Sequence, residues 1–148
     1  MTNSSPEFFP TNPLPSPYLP DEHFGLMHLP RIMEKLLRVD QGVLEPYYEP
    51  TVGQGFDRML VEHLGVPLEF FRHSVKLWVN DRPNFFAAMS RRMPADADAA
   101  TWNRRLVQRG LRGYGLFRLQ RRKKALGLGD REDIRTMIDL IEFVEGRM

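Results

Sequence analysis

Apolar residues recur at helical spacing along most of the chain. Leu29, Ile32, Met33, Leu36 and Leu37 share one face at i, i+3 and i+4, which predicts a first helix within residues 24–39. Residues 40–55, with several Gly and Pro and a Tyr47-Tyr48 pair, read as a loop. A short helix follows from Phe56 to Leu64, with Gly65 placed to close it in the left-handed conformation. Pro67 suits the start of the next helix, in which Leu68, Phe71, Val75 and Trp78 form an apolar stripe. Asp81 to Met93 gives another helical stretch carrying Phe85, Phe86 and Met89, and Pro94 stops it.

Asp96 or Asp98 is placed to cap a further helix that buries Trp102 and Leu106. Gly110, Gly113 and Gly115 interrupt the pattern before a basic helix from Leu116 to Leu126. In the last segment Asp130 is the expected N-cap, and Ile134, Met137, Ile138, Ile141 and Val144 form the buried stripe. Nowhere is period-two alternation sustained. The expected fold is therefore all-α, a compact bundle of five to seven short helices spanning residues 21–148. Six prolines among the first 20 residues exclude both helix and inner strand there and predict an extended proline-rich N-terminal tail over residues 1–20. Phe8, Phe9 and Tyr18 are its candidate anchors, to the body or to a second copy of the chain.

Composition narrows the classes of function. A chain of 148 residues suits one domain with a real core. It has no cysteine, which excludes disulfides, thiolate metal sites and cysteine nucleophiles. No apolar run approaches the roughly 18 residues of a membrane span, and no secretory signal is legible, so the expected location is cytoplasmic.

Candidate chemistry is sparse. His23, His28, His63 and His73 lack zinc-site spacing, and the Glu69–His73 pair at i, i+4 reads as a solvated helix pair. Ser74 and Ser90 have no nucleophile elbow around them. Gly53-Gln54-Gly55 and Gly113-Tyr114-Gly115 match neither phosphate-loop signature. No metal or cofactor is expected, and nothing nominates an enzyme.

Charge is distributed unevenly. The net charge is +2, yet Arg104, Arg105, Arg109, Arg112, Arg118, Arg121, Arg122, Lys123 and Lys124 fall in a window, residues 99–129, without Asp or Glu. Tyr114 and Phe117 lie among them. These nine residues are the candidate nucleic-acid contact, through phosphate neutralisation and base stacking. The plainer expectation is that they pair with the chain's own acids, including those of the last helix.

The C-terminal run Asp130-Arg131-Glu132-Asp133-Ile134-Arg135-Thr136-Met137-Ile138-Asp139-Leu140-Ile141-Glu142-Phe143-Val144-Glu145-Gly146-Arg147 resembles the ending of the bacterial family known as domain of unknown function 5069, which reads like DDIxTWxDLIDLDEGR. The segment Leu29 to Lys35, Phe56-Asp57 followed by Leu64-Gly65, and Trp102-Asn103 agree with that family. Glu34, Met137 and Phe143-Val144 depart from it. The resemblance covers roughly residues 21–148, with the tail and the basic stretch as additions, and it implies a small helical protein without an assigned activity. Carried over by position, its polar residues are Arg31, Lys35, Asp57, Trp102, Asn103, Arg135, Asp139, Glu145 and Arg147. Arg31, Lys35, Asp57, Arg135 and Asp139 are candidates to converge on one polar pocket, against the simpler roles of helix cap for Asp57 and i, i+4 pair for Arg135 and Asp139. The favoured function is a non-catalytic binding or adaptor module, with nucleic-acid binding and an unrecognised enzyme as alternatives.

Overall fold

Helix punctuation accounts for most of the element boundaries in a computed structural model, which describes residues 9–148. Helix α1 (Leu29–Gln41) takes Pro30 in its first turn and ends where Gly42 turns left-handed. A 3₁₀ helix spans Pro46–Thr51 in the expected loop. Helix α2 (Phe56–Leu64) is closed by Gly65 as expected. Helices α3 (Leu68–Asn80) and α4 (Arg82–Arg92) form an antiparallel hairpin at Asp81, whose carboxylate accepts from the Asn84 N–H. Asp98, rather than Asp96, caps α5 (Ala99–Gln108). Helix α6 (Gly113–Ala125) and helix α7 (Met137–Val144) complete the chain. The described residues contain no strand, only an isolated bridge between Pro20 and Met27. With seven α-helices and one 3₁₀ helix, the described residues hold eight, against the five to seven expected.

Most of the core belongs to α1–α5. Met33, Leu60, Phe71, Val75, Phe85, Trp102 and Leu106 are buried together, and Ile138 of α7 joins them. Trp78, Phe85 and Phe86 meet edge to face in the α3–α4 hairpin. A second, smaller cluster of Leu119, Ile134, Leu140 and Val144 holds α6 against α7.

Three expectations need correction. The last helix begins at Met137, because Thr136 and Asp139 form a capping box, and Asp130 caps nothing. Ile134 is still buried, but from the preceding loop. The basic helix starts three residues early. Gly115 lies so near Gly110 that a Cβ would stand 3.2 Å from the Gly110 nitrogen, so these glycines are close-packing points as well as interruptions.

The tail is the third. Over residues 9–20 it lies along the body: Leu14 is fully buried, its N–H donates to the Tyr48 hydroxyl at 3.1 Å, and Glu45 accepts from the Thr11 and Asn12 N–H groups. Ser16 donates to Glu142 and Tyr18 to Asp139, so Tyr18 does anchor this segment to the body. Phe9 is exposed, and Phe8 lies outside the described residues.

Candidate functional site

The Leu29–Lys35 stretch places two buried cations of α1, Arg31 and Lys35, four residues apart on one helix face. Arg31 donates from Nη1 and Nη2 to the two Glu145 oxygens at 2.8 and 2.6 Å, a bidentate pair just beyond α7. Its Nη1 also reaches the Pro15 carbonyl at 3.0 Å. The Tyr48 hydroxyl and Arg147 donate to the same Glu145 carboxylate, at 2.8 and 2.6 Å.

One turn further along α1, Lys35 Nζ donates to Asp57 at 2.8 Å and to the Thr51 hydroxyl at 3.0 Å. Asp57 also accepts from His28 Nε2 at 2.8 Å and from the Gly53 N–H. Lys35 is 2% exposed and Asp57 1%, so each charge is matched where water is scarce. Two cations and two carboxylates thus tie together the N-terminal segment, α1, the 3₁₀ helix, α2 and the end of α7.

Burial pulls the Arg31 guanidinium down, yet the Glu145 carboxylate outweighs this and its pKa ends above the ordinary value. Burial pushes Glu145 up, but the hydrogen bonds from Arg31, Arg147 and Tyr48 hold it below the usual carboxylate range. Asp57 is likewise held down, by His28 and Lys35 against its own desolvation. Burial lowers Lys35 despite the facing Asp57.

His28 is the unusual member. It is the only non-glycine residue at positive φ (74°) among those described, at the N-cap of α1. Segment 25–28 is fixed from outside: Trp102 Nε1 donates to the Met27 carbonyl at 2.8 Å, and the Asn103 side chain bonds both Met27 and Gly25. With Nε2–H directed at Asp57, Nδ1 is a buried acceptor that no described residue meets. Burial lowers the His28 pKa, with Asp57 pulling against it and Lys35 and Arg31 reinforcing it.

Only three of the five residues expected to converge do so, as two neighbouring pairs. Arg135 is exposed, and it is its backbone N–H that bonds Asp139, at 2.9 Å. Asp139 is spent on the α7 cap and on the Tyr18 hydroxyl. His28, Tyr48 and Thr51 were missed. Isolated polar residues give no periodic signal, whereas Glu145 was flagged by the family resemblance. Asp57 is no N-cap: it sits in the first turn of α2 and serves Lys35 and His28.

The basic window has the opposite character. Arg104 and Arg105 on α5, Arg109 after it, Arg112 at the N-cap of α6, and Arg118, Arg121, Arg122 and Lys124 along α6 are all exposed. None of these eight lies in an ion pair with a described residue. The expected pairing with the last helix does not form among the described residues: four acids of that segment are engaged elsewhere, and the exposed Asp130 and Glu132 form no ion pair with any of the eight cations. Glu145 and Glu142 hold Arg31 and Arg147, Asp133 holds Arg131, and Asp139 caps α7.

Lys123 leaves the candidate set. It is buried and donates to the Arg131 and Ile134 carbonyls at 2.6 and 3.0 Å, which fixes the loop before α7. Tyr114, Phe117, Arg118 and Arg121 fall at i, i+3, i+4 and i+7, one exposed stripe opposite Leu119 and Lys123. A shallow groove of about 390 Å³ between Glu22, His23 and the start of α4 is a lesser feature, since its cation Arg82 already pairs with Glu22 and covers Trp78.

Fold and site together define a small all-helical protein with a closed internal charge cluster and an uncovered basic helix. The sequence pattern of the family described as Domain of unknown function (DUF5069) matches residues 13–147, and the chain belongs to that family. The match takes in residues 13–20 of the N-terminal tail and the whole basic stretch, although both tail and basic stretch read from the sequence as additions. No curated protein and no solved structure matches the chain. No described helix is long and apolar enough to cross a membrane.

Proposed function

We propose that the protein is a non-catalytic binding module that holds nucleic acid through the basic face of α6 and the arginines leading into it. The observation that carries this is the set of eight exposed cations without a counter-ion among the described residues, in a stretch free of acids. The internal cluster supports a structural role instead, because its charges are consumed by one another. A net charge of only +2 is compatible with this, since all the acids lie outside residues 99–129 and several are internally paired. The bacterial cytoplasmic setting expected from the sequence is part of the proposal.

Fluorescence anisotropy of labelled RNA and DNA, titrated from low to near-physiological salt, tests it. Affinity should fall linearly on a log–log salt plot. The combined substitution of Arg118, Arg121, Arg122 and Lys124 by Ala should remove about 0.7–0.9 of slope for each phosphate no longer neutralised. Absence of binding at low salt, or an unaffected quadruple variant, would overturn the proposal and turn attention to acidic protein partners.

A further inference from the structure

Two large aromatic rings stand in the middle of the basic face. Tyr114 is 72% exposed and Phe117 55%, on a helix whose inner face buries Leu119. Their rings lie nearly parallel, 22° apart with centroids 6.1 Å apart, and the Arg121 guanidinium sits 5.9 Å from the Phe117 ring centroid. The start of α6 is pinned, not loose. Gly115 abuts the Gly110 backbone, and Gly110 in turn lies against Met137 at the head of α7. The position of Tyr114 is therefore set by backbone packing.

We infer that this face selects single-stranded over duplex nucleic acid, with Tyr114 and Phe117 as a base-stacking platform and Arg118 and Arg121 neutralising the adjoining phosphates. The inference rests on the proposed nucleic-acid contact and specifies its ligand. Charge alone would serve either form. Two adjacent, near-parallel π faces serve unpaired bases, because every base offers a face to a ring once it is free of its neighbours. In a duplex those faces are covered by stacking, and exposing one costs a few kcal/mol per step. The rings also carry little that could read base edges: across Tyr114 and Phe117 the single polar group is the Tyr114 hydroxyl. Arg121 beside Phe117 places a cation where a stacked base and its phosphate would meet.

The test compares three labelled probes of equal nucleotide number by anisotropy: a mixed-sequence single strand, an abasic single strand, and a duplex. The full chain should bind the ordinary strand about tenfold more tightly than the abasic strand. The double substitution Tyr114→Ala/Phe117→Ala should bring the ordinary strand down to the abasic level. It should leave the abasic affinity and the salt slope unchanged, since both substituted residues are uncharged and exposed.

Equal binding of all three probes, or a double variant that still prefers the ordinary strand, overturns the stacking platform and leaves the charge-based contact standing. Failure of every probe to bind at low salt removes both. Tyr114→Phe should retain the preference, which separates stacking from a role of the hydroxyl.

Discussion

Arg31 and Arg121 are the same residue type, each on a 13-residue helix, and the chain treats them in opposite ways. Arg31 lies under the N-terminal segment and receives a bidentate carboxylate, a tyrosine ring beside it and a backbone carbonyl. Arg121 stands in solvent against Phe117 and has no ion-pair partner among the described residues. An unpaired charge is tolerable only where water can solvate it. Matched pairs are therefore the signature of the interior, and unmatched cations at the surface are free for a partner.

The comparison can be broken most severely at Asp57. Asp57→Asn leaves Lys35 buried without its counter-charge, and chemical denaturation should show a loss of about 3–5 kcal/mol. A loss below about 1 kcal/mol would mean that the interior does not demand the match.

Lys123 and Lys124 offer a sharper contrast, because they are neighbours in sequence and opposites in environment. Lys123→Ala takes the Lys123 donor from the Ile134 carbonyl and leaves the Arg131 carbonyl only the long bond from the Ile134 N–H, and this should cost about 1–3 kcal/mol in the same assay. Lys124→Ala should stay within about 0.5 kcal/mol of the parent. Equal effects would erase the distinction between the two regions.

The smallest effect concerns pH. The facing groups of His28 are Asp57, Lys35, Arg31 and the Phe56 ring. Burial keeps the folded imidazole below its ordinary pKa of 6.5, so the unfolded chain binds the extra proton. Stability contributed by neutral His28 is therefore full above about pH 6.5 and declines as pH falls toward the folded pKa, by at most about 1.4 kcal/mol per pH unit. Asn tolerates positive φ, so His28→Asn should remove this slope between pH 6.5 and 5. An unchanged slope would show that His28 does not titrate between the two states.

Where one short-range rule sufficed, the sequence was a good guide. Gly65 ends α2, Pro30 sits in the first turn of α1, Asp98 caps α5, and the apolar stripe of α3 is buried at Phe71, Val75 and Trp78. The start of α7 was misplaced because two capping signals competed, and the capping box at Thr136 and Asp139 prevailed over Asp130. Of the polar cluster, Arg31, Lys35 and Asp57 were legible through family resemblance, and Arg135 and Asp139 were drawn in with them on the same grounds. His28 carried no signal, since its strained backbone is imposed from Trp102 and Asn103, some 75 residues away.

Sequence alone determined the helical class, the uneven charge and the aromatic residues within the basic stretch, because periodicity and composition are local properties. Tertiary structure decided which charges are consumed. Glu145 meets Arg31 across 114 positions, and Lys123 turns inward while Lys124 does not. A side chain's charge is written in its residue, but whether that charge is solvated, matched or free depends on neighbours that only the folded chain brings within reach.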